Sequence, residues 1–290
     1  MTMYNRFRSE FYRALHSRMT WILLAVCLLA VFFSAYDSFW LLSPKNENFM
    51  DGIYQSFHTY MTEYSGGAWN PPADQLLFPS FSPQGIFYLN NTIFNYFDVT
   101  LISVFFTALF CGSFYTSGYA KNLSASPYGR SSQILGQLSV VAIWILAAGI
   151  LRILLAAIMG VLYFGSTAIY DPGTLFSVLM RNYLLTLAVN TLVLLFTVVL
   201  KQTTAPLVLG LLYVLGLPLP LLDLADWLCN QLLRLLSVSG SFRLSDFTVF
   251  INLMELNPYI HTVRNFITGT AGIAFYLSIS LYAVRKTDLV

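Results

Sequence analysis

The chain has 290 residues, of which 57% are apolar and 10% are charged, and its mean hydropathy is +0.67. Soluble globular domains carry about 25% charged residues, so this composition excludes a soluble domain and predicts a multi-pass membrane protein. The net charge is only +2, and no basic run with interleaved aromatic residues occurs outside the N-terminus. We therefore predict no nucleic-acid partner.

Residues 1–18 have the pattern of an amphipathic helix on the cytoplasmic surface. Tyr4, Phe7 and Phe11 recur at helical spacing, while arginines, including Arg13, occupy other faces. Such a helix lies in the membrane interface, with its aromatic residues at the acyl boundary and its arginines toward anionic head groups. The pattern leaves open whether this helix is a simple positive-inside anchor or also helps to bind a partner.

Six segments are apolar over the roughly 20 helical residues that a bilayer core of about 30 Å requires. They are 19–39, 98–117, 133–164, 179–200, 204–222 and 265–284. The segment 133–164 spans about 48 Å as a helix, which exceeds a simple crossing. It must tilt strongly, project beyond the membrane or break, with Gly149 and Gly160 as candidate break points.

The fifth span, 204–222, contains glycines and prolines that disfavour a regular helix. Pro218 and Pro220 predict that the helix ends near the outer surface, within 217–221. The segment 223–264 then predicts short extracellular or re-entrant helices near 224–236 and 245–256.

The distribution of Lys and Arg predicts the orientation. If the N-terminus is cytoplasmic, the inner segments hold nine of these residues in 42 positions, whereas the outer segments 40–97, 165–178 and 223–264 hold four in 114. The positive-inside rule therefore places both termini in the cytoplasm. The segment 40–97 is rich in aromatic residues that require burial, so it predicts a small folded extracellular domain between the first two spans.

The sequence lacks the common motifs for nucleotide binding, catalysis and metal binding. It has no Gly-x4-Gly-Lys-Ser/Thr loop, no His-Glu-x-x-His and no Gly-x-Ser-x-Gly, and its three histidines and three cysteines have no metal-ligand spacing. Its acidic residues near spans lie at predicted outer edges rather than in pairs at the midplane, which disfavours a proton-driven carrier. We predict no catalytic residue, metal site or cofactor in this chain.

Arg152 is the charged residue that lies well inside a predicted span. An arginine at a helix centre costs about 2.5–3.5 kcal/mol on insertion scales, so it should face protein or water, with Asn190 as a hydrogen-bond partner on a possible translocation path. Snorkelling to the outer head groups is the alternative. Arg181, near the outer end of the fourth span, is interpreted as a snorkelling anchor.

A polar segment, 118–132, joins the second and third spans. It contains Gly118-Tyr119-x-Lys121-Asn122-Leu123 and then Pro127-x-x-Arg130, and it contains no acidic residue. This pattern, followed by a long apolar helix, resembles the cytoplasmic hairpin tip of type-2 permeases of ATP-binding-cassette (ABC) exporters.

The resemblance implies an all-α membrane protein with six transmembrane helices, cytoplasmic termini and an N-terminal interfacial helix. It also implies that 118–132 is a coupling segment, in which the following residues contact a separate ATPase subunit: Gly118, Lys121, Asn122, Pro127 and Arg130. ATP and Mg would bind that partner, and a second permease subunit would complete a homodimer or heterodimer.

The substrate implied by the resemblance is a peptide, an antibiotic or a lipid-like molecule. The family often has a basic residue where this chain has Gln137, which leaves room for a heterodimer with a more typical partner. The alternative from another functional class is a membrane scaffold or sensor, whose extracellular domain binds a ligand or partner without transport.

Overall fold

The computed structural model describes residues 3–41, 96–117, 127–164, 172–235, 248–249 and 262–286. Those residues contain helices and no strand. In chain order the helices are α1 (Met3–His16), α2 (Arg18–Leu41), α3 (Phe97–Thr116), α4 (Pro127–Phe164), α5 (Pro172–Leu200), α6 (Thr204–Val214), α7 (Leu219–Leu235) and α8 (Thr262–Lys286).

The prediction of an all-α membrane protein is confirmed in this coarse form. Five stretches are long and apolar enough to cross a bilayer: Arg18–Tyr36, Phe97–Thr116, Arg130–Met159, Leu179–Leu200 and Val263–Lys286. The pair α6 and α7 qualifies as a sixth only if the two helices form one broken span, because they meet at a bend of 59°. The predicted extracellular domain lies almost entirely outside the described residues.

The fifth predicted span, 204–222, is not one continuous helix. Helix α6 ends at Val214, and α7 begins at Leu219. Between them Gly216 has a φ of 101°, which glycine adopts without the steric cost that a side chain would add. Pro218 follows, and a proline disfavours helical geometry at the preceding residue. The helix therefore ends several residues earlier than the sequence predicts. The next helix includes residues 224–235 of the predicted 224–236 segment.

Helix α4 is unbroken from Pro127 to Phe164, which excludes the alternative of a break at Gly149 or Gly160 and leaves a strong tilt or projection beyond the membrane. Its 38 residues span about 57 Å. Gly149 has a packing role instead, since a Cβ atom at this position would overlap the hydroxyl of Tyr96.

The chain forms two compact units. The larger comprises Met1–Cys27, Tyr96–Ile150 and Val178–Val290, and the smaller comprises Leu28–Asn95 and Leu151–Ser177. In the smaller unit, Ala35 of α2 and Met159 of α4 form a buried apolar cluster with Leu155 packed against it.

Helices α3 and α5 provide the centre of the larger unit. Over an apolar window of 18 residues in each helix, 67% of the residues of α3 and 72% of those of α5 are buried, against 22% for α2 and for α8. Helix α4 has instead an exposed apolar stripe at three- and four-residue spacing, as expected of a helix that faces lipid. The stripe consists of Ile143, Leu146, Ile150, Leu154, Ile158 and Val161.

Contacts in the larger unit bring several helix ends together. Arg13 of α1 donates to the carbonyl of Phe110 near the end of α3, and Arg285 at the end of α8 donates to Ser131 near the start of α4. The α5–α6 connection packs against α3 at Gly112. This end of the unit therefore flanks the predicted coupling segment on both sides.

Candidate functional site

A cleft of about 260 Å³ lies between α1 and the last turn of α3. It is lined by Ser9, Glu10, Arg13, Ser113 and Ser117. Serines 113 and 117 lie immediately before the predicted coupling segment, so the cleft is formed where α1 meets the end of a span.

An ion pair between Glu10 and Arg13 of α1 connects this helix to its neighbours. Glu10 is only 2% exposed, and its Oε2 lies 2.7 Å from Nη2 of Arg13, one helical turn away. The same Nη2 donates to the carbonyl of Phe110 at 3.1 Å. The other carboxylate oxygen, Oε1, accepts a hydrogen bond of 2.6 Å from Nε2 of Gln133 in α4. The pair thus fastens α1 to both spans that flank 118–132.

Helices α1 and α4 approach each other closely at Gly136. A Cβ atom on Gly136 would lie 3.6–3.7 Å from Glu10 Cγ and from the backbone of Arg6 and Phe7. These are ordinary contact distances, so the two helices touch through the glycine without overlap.

One face of α1 packs against the protein. Phe7 and Phe11 are half-buried, stack on each other at 5.7 Å and pack against the main core cluster. Arg13 lies against Glu10 and Phe110 rather than projecting toward head groups. A buried carboxylate needs a partner, and the arginine one turn away on the same face supplies it. The position of these three side chains at the membrane interface stays a prediction.

An aromatic stack continues from the ion pair into the core. The guanidinium carbon of Arg13 lies 4.3 Å from the ring centroid of Phe110, within the range of a cation–π interaction. Phe110 stacks on Phe106 at 5.3 Å, and Phe106 stacks on Trp144 of α4 at 4.7 Å. Contiguous packing thus connects α1 with the middle of both spans.

Three of the five predicted coupling residues lie outside the described residues. They are Gly118, Lys121 and Asn122. Pro127 is the first residue of α4, a position that suits proline because the first helical N–H has no partner within the helix. Arg130, in the same first turn, is half-buried. The role of these five residues stays a prediction.

A second polar cluster is buried between α3 and α5. Asn190 donates from Nδ2 to Ser103 Oγ at 2.7 Å and to the carbonyl of Thr186 at 2.8 Å, and its Oδ1 accepts from Thr107 at 2.6 Å. One turn away, the hydroxyls of Thr100 and Thr186 lie 2.7 Å apart. Both amide hydrogens of Asn190 are thus used within the larger unit. Arg152 belongs to the smaller unit, and its pairing with Asn190 stays a prediction.

Sequence reasoning singled out Asn190 but missed its partners on α3. Thr100, Ser103 and Thr107 recur at three- and four-residue spacing on one face of an otherwise apolar span. This spacing is the signal that predicts a polar contact with another helix.

The two intramembrane arginines are both buried. Arg152 is 1% exposed, which supports the interpretation that it faces protein rather than head groups. Arg181 is 3% exposed, and its Nε donates to Oδ1 of Asn182 at 3.1 Å. The interpretation of Arg181 as a snorkelling anchor is therefore wrong, because snorkelling requires that the guanidinium reach the aqueous interface.

The buried face of α4 carries polar groups that the sequence analysis did not identify. Gln137 is 0% exposed, and neither its amide oxygen nor its amide nitrogen has a hydrogen-bond partner among the described residues. Gln133, one turn earlier, uses its nitrogen on Glu10, while its oxygen has none. Groups of this kind are destabilising in a membrane, where water does not replace the missing partner.

No group of three or more His, Cys, Asp or Glu side chains within the described ranges is arranged to hold a metal ion. No family model, curated protein or solved structure matches the chain. The helices and their apolar lengths define it as an all-α, multi-pass membrane protein.

Proposed function

We propose that this chain is the transmembrane permease subunit of an ABC exporter in the cell membrane. It moves a peptide, an antibiotic or a lipid-like molecule, using ATP that a separate subunit binds with Mg and hydrolyses. A second permease subunit, identical or different, completes the transporter, and membrane lipids surround it. The chain is not itself an enzyme.

The observation that carries the proposal is the attachment of α1 to both spans that flank 118–132. Glu10 bonds to Gln133 of α4, and Arg13 bonds to Phe110 of α3. A force applied to the segment or to α1 is therefore transmitted into two spans at once, because packed helices and their hydrogen bonds shift as units. This arrangement suits a subunit that receives mechanical work from a partner at this end.

Affinity capture of the tagged full-length chain from its own cells, in a mild detergent, tests the proposal. We expect a protein with a P-loop to copurify, and we expect the complex to hydrolyse ATP. The chain purified alone should show no hydrolysis, because its sequence has no P-loop. Capture of no such protein would contradict the proposal and would favour the scaffold or sensor.

Substitutions in the predicted coupling segment test whether it contacts the ATPase. Arg130→Glu reverses a charge that would pair with acids or helix ends of the ATPase, so it should reduce capture or ATP-driven transport severalfold. Pro127→Ala should do so through shape rather than charge. Lys286→Glu is the matched control, since Lys286 is an exposed cation near the end of α8 that bonds to Tyr282 of its own helix. Equal losses in Arg130→Glu and Lys286→Glu would indicate that only net charge matters.

A further inference from the structure

The Glu10 carboxylate has a second potential donor on α4 that it does not use. Gln133 and Gln137 are four residues apart and therefore lie on the same face of the helix, separated by about 6 Å along its axis. Gln133 donates to Glu10 at 2.6 Å, whereas Gln137 is fully buried with its amide unpartnered among the described residues. Gln137 is thus a second potential partner for Glu10 on the same face of α4.

The contact surface between α1 and α4 is compatible with sliding. In the observed register the helices meet at Gly136, which presents no side chain that interlocks with α1. A shift by one turn would bring the same part of α1 to Val140, so α1 would also move away from α4 by about the size of that side chain. Glu10 and Arg13 would move together as a neutral pair, so no isolated charge would enter the bundle. One-turn displacements of one element past another are an established type of conformational change.

We propose that α1 occupies two registers along α4. Glu10 is held by Gln133 in the first, which is the register seen in the structure, and by Gln137 in the second. The existence of the two registers is independent of the proposed function, and only the assignment of the ATPase as the partner that shifts α1 between them rests on it.

Disulfide trapping in cell membranes tests the registers directly. In a full-length chain with Cys27, Cys111 and Cys229 replaced by alanine, Phe7→Cys is combined with Gly136→Cys for the first register or with Val140→Cys for the second. Position 136 fits because its Cβ would lie 3.7 Å from the Phe7 nitrogen, and Val140 lies one turn further along α4. After oxidation, a maleimide carrying a polymer tag counts the cysteines that remain unlinked.

We expect the 7–136 pair to dominate and the 7–140 pair to form as a minority. Hydrogen bonds to charged groups contribute enough free energy that removing one should change the ratio of the two yields by about tenfold or more. Gln133→Leu should therefore raise the 7–140 yield relative to 7–136, and Gln137→Leu should lower it toward background. Ser139→Ala is the matched control on α4, because Ser139 bonds only to the Leu135 carbonyl of its own helix, and it should change neither yield.

A 7–140 yield that is the same in Gln133→Leu, Gln137→Leu and the parent would overturn the proposal. If a leucine variant does not accumulate in the membrane, the corresponding methionine variant, which better matches the glutamine in shape, replaces it. The assay requires neither ATP nor a substrate. Its failure would therefore leave the exporter proposal standing, and failure to capture an ATPase would leave the two registers standing.

Discussion

Asn190 shows how one residue organises the centre of the bundle. It connects α5 to Ser103 and Thr107 of α3, and all of these side chains are fully buried. In lipid these groups cannot turn to water, so the cluster ties the two central helices at one depth and one rotation.

Replacing Asn190 should therefore destabilise the protein. Asn190→Leu removes three hydrogen bonds and leaves the buried hydroxyl of Thr107 without its acceptor. Ser103 keeps its bond to the carbonyl of Thr100, so we expect a cost of about 1–2 kcal/mol. The measurement is the temperature at which detergent-solubilised protein loses its monodisperse peak. Thr197→Val is the control, since Thr197 is equally buried but bonds only to the Val193 carbonyl of its own helix. Equal midpoints for the two variants would show that the cluster contributes nothing to stability.

Replacement of Arg152 gives a second prediction for a single residue, and this prediction depends on the proposed function. An arginine within a span disfavours insertion, so Arg152→Leu should reach the membrane at the parent level or above. If the guanidinium lines the translocation path, transport or substrate-stimulated ATP hydrolysis should fall severalfold, and Arg152→Lys should restore part of it. Unchanged activity in Arg152→Leu, at normal membrane levels, would assign the residue a structural role.

At the scale of elements, α6 depends on close approach to its neighbours. A Cβ atom on Gly210 would lie 2.7 Å from Cγ2 of Val193 and 2.8 Å from Cγ1 of Val104. Valine is stiff at χ1, so neither neighbour can rotate away easily. The short helix α6 thus occupies a groove between α3 and α5 that only a residue without a side chain fits.

Two glycine-to-alanine variants should therefore have opposite effects on stability. Gly210→Ala overpacks this groove and should destabilise by about 1–3 kcal/mol. Gly136→Ala meets its nearest neighbours at 3.6–3.7 Å and gains helix propensity, so it should be neutral or stabilising by up to about 1 kcal/mol. Thermal midpoints of the two purified variants provide the comparison. A destabilised Gly136→Ala together with a parent-like Gly210→Ala would contradict the packing described for both helices.

At the scale of the whole molecule, the side of the membrane on which each end lies is still a prediction from the count of Lys and Arg. The contacts that join α1, the end of α3, the start of α4 and the end of α8 require only that these ends share one side. The charge distribution assigns that side to the cytoplasm.

Cysteine labelling on sealed cells decides the orientation. In a background without the three native cysteines, Ser56→Cys in the predicted outer segment should react with an impermeant maleimide. Ser126→Cys, in the predicted coupling segment, should react only after the cells are permeabilised. Equal reaction of both positions on intact cells would rule out the six-span topology.

The sequence by itself determined the membrane character and the approximate position of the spans. Runs of about 20 apolar residues have few alternatives to a transmembrane helix, because every backbone polar group must be satisfied within the segment. The helical pattern of residues 1–18 likewise anticipated α1, and the arginine at 152 was recognised as costly from its place in an apolar run.

Only the tertiary structure decided which faces meet. Glu10 and Gln133 are 123 residues apart, and Asn190 is 83 residues from Thr107, so no local periodicity relates them. Their pairing depends on how far each helix rotates about its axis, which packing at positions such as Gly136 and Gly210 sets. The bend after α6 likewise ends the helix earlier than its hydropathy indicates. The positive φ of Gly216 produces this bend, and apolar composition does not predict the backbone conformation of a single residue.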